Sequence, residues 1–343
     1  MHENAKTLEA LKEKKALSFA KKGIIFALVS GMIWALDGLT LNEGLSIAPF
    51  NDPRFWLIAP LFSAGIHDLF MALFTFLYNC SRGMGREVGR TLLSKPGIFC
   101  ALGAVFGAPL GMGGYLLALS FASPAYVLPI TSMYPAVAAV LAVFLLGEKI
   151  TKRAGIGLLL CITGAAVISY VPSDGSLGDH FLLGIIFALI CAVGWASEGV
   201  IETSAMDFVD PTVALNVCKL CSAFLYFAFI IPAACWYGSS AENLPAGEFL
   251  AAALNGKALW IVAFAGVIGG LSYICYYTAL NMAGVSRAMA LNITYSLWGV
   301  VFSALFFGVD LTATLVGGAC IIFIGMFFVI GNPKDMLTLR SAE

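Results

Sequence analysis

Gly23-Ile24-Ile25-Phe26-Ala27-Leu28 returns as Gly184-Ile185-Ile186-Phe187-Ala188-Leu189, an offset of 161 residues. Eleven residues into each copy a tryptophan precedes an acid by three positions: Trp34 with Asp37, then Trp195 with Glu198. The same offset relates Tyr115 to Tyr276 and Gly147 to Gly308, so the register holds across most of the chain. The repeated unit is apolar. Of the 343 residues, 60% are hydrophobic and 11% charged, and the mean hydropathy is +0.92. Soluble domains carry roughly a quarter charged residues, so a water-soluble fold is excluded.

Apolar runs fall at about 23–42, 55–79, 97–119, 124–146, 153–171, 181–202, 211–236, 258–280, 286–307 and 311–330. Each is long enough, at 1.5 Å per residue, for a hydrocarbon core of about 30 Å. The expected fold is an all-α polytopic membrane protein of ten transmembrane helices. Short joints at Phe121-Ala122-Ser123-Pro124 and Asn281 to Val285 demand antiparallel neighbours. Sixteen of the nineteen Lys and Arg residues fall on one set of loops and tails. Arg54 and Lys257 fall on the other set, and Lys219 lies inside the seventh run. The positive-inside rule then puts both termini in the cytoplasm and the protein in the plasma (inner) membrane. Arg287 opens the ninth run as one of the inside charges.

Ten helices in two repeats give five each, an odd number, so the second repeat enters the membrane inverted. The expected divisions are a basic N-terminal tail (1–22), a first repeat (23–171), a linker (172–180), a second repeat (181–331) and a C-terminal tail (332–343). Nothing in residues 1–22 reads as a cleavable signal, and the lysine-rich stretch is expected to lie on the membrane surface. Gly103, Gly107 and Gly111 form a small-residue ridge for close helix packing, beside Pro109.

Trp56, Trp236 and Trp260 lie at helix ends, where interfacial belts place tryptophan. Trp34, Trp195 and Trp298 lie roughly 16–20 Å into their helices, near the bilayer centre. Asp37, Asp68 and Glu198 share that depth, with Glu202 one turn beyond Glu198. An acid there costs about 2.5–3.5 kcal/mol on insertion scales, so each needs a partner or a use. Lys219, about 12 Å into its helix, and His67 are the only deep bases. One lysine cannot neutralise three acids, which leaves an electronegative interior. Trp195 and Glu198, Tyr295 and Trp298, and Tyr273 and Tyr276 form i, i+3 pairs. Rings with carboxylates suit a small organic cation, because a desolvated cation over an aromatic face gains about 2 kcal/mol. Asp37, Glu202 and Lys219 form a candidate charge network or proton-coupling group.

Cys218-Lys219-Leu220-Cys221 has CxxC spacing but no second pair, and Asn292-Ile293-Thr294 is a sequon inside a helix. No metal, cofactor, nucleic-acid partner or catalytic constellation is expected. A homodimer is left open.

The chain resembles the drug/metabolite transporter superfamily of the EamA type over about 23–331, notably at Phe144-Leu145-Leu146-Gly147-Glu148-Lys149. A narrower likeness is to bacterial choline permeases of the LicB type. It is carried by His67-Asp68, Gly107-Ala108-Pro109-Leu110-Gly111-Met112, Trp195-Ala196-Ser197-Glu198, Ser272-Tyr273 with Tyr276-Tyr277, and Asn292 with Tyr295 and Trp298. That resemblance implies a choline or quaternary-ammonium site at Trp34, His67, Asp68, Trp195, Glu198, Tyr276, Tyr295 and Trp298. It also implies uptake by alternating access. Asp37 and the long charged N-terminal tail depart from that pattern. The rival expectation on the same fold is export of amino acids or other small metabolites.

Overall fold

The computed structural model describes residues 2–146, 152–168, 180–206, 208–241, 243–283, 288 and 291–330. Arg287, Gly147 to Lys149, residues 284–285 of the expected eighth-to-ninth joint, most of the 172–180 linker and the 332–343 tail lie outside the described residues.

Apolar runs in lipid become helices because every backbone N–H and C=O must be paired within the segment. Helix α1 spans His2–Leu45, α2 Ile58–Ser81 and α3 Gly85–Leu92. Lys95–Phe106 (α4) continues through a wide π turn at Gly107–Gly113 into α5, Gly114–Phe121. Next come α6 (Pro124–Thr131), α7 (Tyr134–Leu146), α8 (Lys152–Ile168) and α9 (Phe181–Met206). Pro211–Leu225 (α10) passes through a second π turn at Tyr226–Ile230 into α11, Ile231–Ala241. The remainder are α12 (Ala246–Asn255), α13 (Lys257–Ala283), α14 (Tyr295–Phe307) and α15 (Ala313–Ile330). No strand occurs among the described residues.

Six segments are long and apolar enough to cross a membrane: Lys22–Leu45, Ile58–Ser81, Lys95–Phe121, Phe181–Glu202, Pro211–Ala241 and Lys257–Ala279. Gly155–Ile168, Tyr295–Phe307 and Ala313–Phe328 are shorter apolar helices. The fold is thus an all-helical, multi-pass membrane protein. Two helices beyond the sequence expectation appear in the connections. In α3, Val88 and Thr91 are buried, and in α12, Ala246, Phe249 and Ala253 are buried.

Pro109 explains the first π turn. It offers no N–H to the preceding turn, so the helix widens to re-pair the freed carbonyls. Pro124 opens α6 behind Ser123, whose hydroxyl accepts the Ala125 N–H at 3.3 Å. Gly308 ends α14 at φ 63°, a left-handed cap that needs no Cβ.

The halves exchange equivalent contacts. Helix α1 packs along α13, while its repeat counterpart α9 packs along α4 and α5, the counterparts of α13. Helix α8 packs on its own counterpart, α15. There Cys161 Sγ lies 3.8 Å from the carbonyl of Ile322, a separation of 161 residues. A pair that maps onto itself under the repeat must straddle a local twofold axis. Gly164 packs against Ile322 and Gly318, and its equivalent Gly325 against Cys161 and Gly157, so the exchange is complete at that crossing.

Candidate functional site

The glycine ridge on α4 and the following π turn is a set of slots for one face of α9. A Cβ on Gly103 would meet Glu202, one on Gly107 would overlap the Glu198 carboxylate, and one on Gly111 would overlap the Trp195 indole. On α5, Gly114 receives the backbone at Phe187 and Cys191. Packing, rather than hinging, is what this geometry displays. Successive glycines thereby set Glu202, Glu198 and Trp195 in a row facing inward.

Trp34 of α1 closes one end of that row. Its ring stacks on Tyr115 at 5.9 Å between centroids and meets Trp195 edge-on at 5.5 Å and Tyr273 at 5.2 Å. Tyr115 also contacts Trp195 at 5.2 Å. These rings form a septum across the centre of the protein. Beside it lies a cavity of about 60 Å³, room for about four waters at the ~10–15 Å³ each requires. Its wall holds Trp34, Trp195, Tyr134, Tyr273, Tyr276, Tyr277 and Tyr295, with Glu198 and Glu202. Ser30, Ser272 and Asn292 supply the polar side and are tied together. Ser30 Oγ donates to the Ser272 carbonyl at 2.8 Å, and Asn292 Nδ2 donates to Ser30 Oγ at 2.9 Å. No Lys or Arg lines this cavity among the described residues.

The four deep acids divide into unlike pairs. Glu198 Oε1 accepts from Lys219 Nζ at 2.9 Å and from the Cys218 thiol at 3.3 Å. The Lys219 ammonium also lies 5.2 Å from the Tyr273 ring centroid. Of the two acids on α9, lysine therefore takes Glu198. Glu202 Oε2 accepts from the Tyr277 hydroxyl, and its Oε1 has no hydrogen-bond partner among the described residues.

The other pair lies behind Trp34. His67 Nε2 is 3.2 Å from Asp37 Oδ1, and His67 Nδ1 is 3.2 Å from Asp68 Oδ1. Asp68 Oδ2 accepts from Ser222, while Asp37 Oδ2 lacks a partner among the described residues. A neutral imidazole has one N–H, so satisfying both carboxylates takes one additional proton in the cluster. His67 and Asp68 line no part of the cavity, although His67 touches the Trp34 ring edge-on at 6.4 Å.

Trp34, Trp195, Glu198, Tyr276 and Tyr295 thus come together at the cavity, and Trp298 does not. Trp298 is 37% exposed and packs on Phe302 at 5.5 Å. Three residues turn a helix about 300°, which leaves i+3 some 60° off i. With Tyr295 facing inward, that offset carries Trp298 across to the outer face. Tyr134, Tyr273, Tyr277 and Ser30 were not among the expected site residues. The Tyr134 hydroxyl lies 3.0 Å from that of Tyr276, a contact between α7 and α13 that no local spacing announces. Of the interfacial tryptophans, Trp236 and Trp260 are 72% and 66% exposed, as belt residues should be.

Carboxylate oxygens of Glu198 and Glu202 and the Cys218 sulfur lie within 4.8 Å of one another, close enough to hold a metal ion. A divalent cation there would face the Lys219 ammonium already bonded to Glu198, so the donor set fits a metal poorly.

The EamA-like transporter family matches residues 21–170 and again 182–331. This chain belongs to that family. Protein LicB of Haemophilus influenzae is 31% identical over 285 residues, covering 81% of this chain and 87% of that protein. A crystal structure of a further protein, 17% identical, superposes with a TM-score of 0.57 over 90% of this chain and 96% of the other. At that identity the likeness concerns the fold alone. Both halves of this EamA-family chain match the family separately, in agreement with its internal repeat.

Proposed function

We propose that this EamA-family transporter carries choline or a closely related quaternary ammonium ion into the cell by alternating access. One observation carries the reading: a cavity walled by seven aromatic rings together with Glu198 and Glu202, and lined by no Lys or Arg among the described residues. A methylated ammonium has no N–H to donate. It gains from π faces and diffuse negative charge, and a desolvated ring contributes about 2 kcal/mol. The carboxylate of an amino acid would want a free base, and Lys219 is engaged by Glu198. The likeness to choline permeases read from the sequence points the same way.

The reading has ten crossings in two inverted halves with cytoplasmic termini in the plasma membrane, and the charge distribution and the exchanged contacts support it. The halves rock about the cavity, and the Trp34–Tyr115–Trp195 septum closes its outer side. A monovalent cation moving inward gains about 2.3 kcal/mol per 100 mV, roughly fifty-fold accumulation without a coupling ion.

Proteoliposomes holding the purified protein and an inside-negative potential test this. Concentrative uptake of radiolabelled choline, inhibited by other trimethylammonium compounds and not by amino acids, is expected. Uptake of a labelled amino acid in place of choline contradicts the reading.

A further inference from the structure

The central cavity has a larger neighbour. A second, of about 640 Å³, opens between the 46–56 segment, the end of α5 and the start of α9. Helices α1 and α9 wall both spaces. Along α1, Asn42 and Leu45 border the second cavity and Trp34 the first, about 12 Å apart at 1.5 Å per residue. Along α5, Phe121 borders the second cavity, while Tyr115, below it, belongs to the septum. The second space thus lies farther along α1, α5 and α9 than the ring contacts of Trp34, Tyr115 and Trp195.

The chemistry of the second space resembles that of the first. Phe121 meets Trp56 at 6.4 Å and 45°, and His180 at 6.0 Å and 69°, so three rings make a corner rather than a stack. Trp56 read from the sequence as a plain belt residue. Unlike the exposed Trp236 and Trp260, it faces this cavity and is only partly exposed. Asn42 and Asn51 supply neutral polar groups. Asp52 is held by Arg54 through Nε and a second nitrogen, the latter at 2.6 Å, so that acid is already engaged.

In the proposed orientation, the outer loops carry Glu43, Asp52, Asp174, Asp179, Glu242, Glu248 and Asp310 against Arg54 and Lys257. Seven acids against two bases raise the local concentration of cations at a low-dielectric cleft, and salt weakens the effect.

We propose that this outer cavity is a second binding site, a vestibule that captures a small methylated ammonium ion before it passes the septum to the central cage. Trp56 and Phe121 are its recognition faces. The inference rests on the cation reading and the orientation given above, and adds a site to it.

The test is sided. In oriented proteoliposomes, the half-saturation for labelled choline is measured separately for influx from the outer face and efflux from the inner face. Trp56→Ala and Phe121→Ala should raise the outer half-saturation at least three-fold and leave the inner value and the influx maximal rate unchanged, with the efflux maximal rate falling in proportion as a passive carrier requires. Trp56→Phe should restore the outer value, which separates ring loss from a folding defect in the neighbouring Phe121–Phe187 stack. Added salt should raise the outer half-saturation more than the inner. Choline flux with an unchanged outer value, or with both sides raised equally, overturns the vestibule while the transport reading stands. No choline flux from either side overturns the transport reading and the vestibule with it.

Discussion

Glu198 and Glu202 stand one turn apart on α9, yet their environments give them different work. Glu198 neutralises Lys219, and both are buried. Removing one partner of such a pair strands the other charge, at a cost of about 3–5 kcal/mol. Glu198→Gln should therefore lower thermal stability sharply. Glu202→Gln should leave stability nearly intact and weaken cation binding, read as separate melting and binding curves. Equal stability losses in both would show that the lysine is not committed to Glu198. The sequence displayed both acids and the lone lysine, but the choice between acids four residues apart is a tertiary decision. Trp34 and Trp195 were legible because the repeat marks them. Trp298 was misplaced because i, i+3 spacing leaves about 60° of rotation between it and Tyr295, enough to turn it off the cavity. Tyr134 was invisible for a plainer reason: nothing in an unbroken apolar helix distinguishes a cavity tyrosine from a packing one.

Between elements, close approach of α4 to α9 depends on the missing side chains of Gly107 and Gly111. Gly107→Ala sets a methyl group against the Glu198 carboxylate, and overpacking of this kind costs about 1–3 kcal/mol. A lowered melting temperature with reduced transport is expected, while Gly89→Ala, whose Cβ meets nothing within 4 Å among the described residues, should melt close to the wild type. The spacing of the ridge was readable in the sequence. The carboxylate and indole that fill it were not, because they come from a helix some ninety residues away.

On the side proposed to face the cytoplasm, Arg82 at the end of α2 holds Asp210 with contacts of 3.2 and 3.1 Å, and Asp210 caps α10 through the Thr212 N–H at 2.9 Å. Burial opposes ionisation of Asp210, but bonds from Arg82 and Thr212 outweigh it and hold the carboxyl below its ordinary value. A depressed carboxyl contributes stability that is fully present above the unfolded value, about 4, and is lost as pH falls through the lower folded value. Asp210→Ala should cost about 1 kcal/mol near neutral pH, typical of a lost N-cap, and the difference from wild type should shrink in acid. A mutant gap that persists unchanged at low pH would assign the effect to something other than the carboxylate.

Across the whole molecule, the 161-residue offset gave the duplication, and Cys161 against Ile322 shows where its local axis passes. Ten apolar runs were readable, though six alone are long enough to cross by length and composition among the described residues. The run at 124–146 is interrupted at Ser132 and Met133 between α6 and α7, where hydropathy stays high while the helix breaks. Cysteine-accessibility labelling at sites in 46–54, 82–94 and 243–256 should mark the first and third as external and the second as internal. Labelling of all three from one side would refute the orientation. The central claim, an aromatic cage for a quaternary ammonium ion, is met most directly by equilibrium binding of labelled choline to purified wild type, Trp195→Ala and Trp236→Ala. Loss of a desolvated ring worth about 2 kcal/mol weakens binding about thirty-fold, so that loss is expected for Trp195→Ala and no change for Trp236→Ala. Equal affinities in all three proteins would contradict the cage.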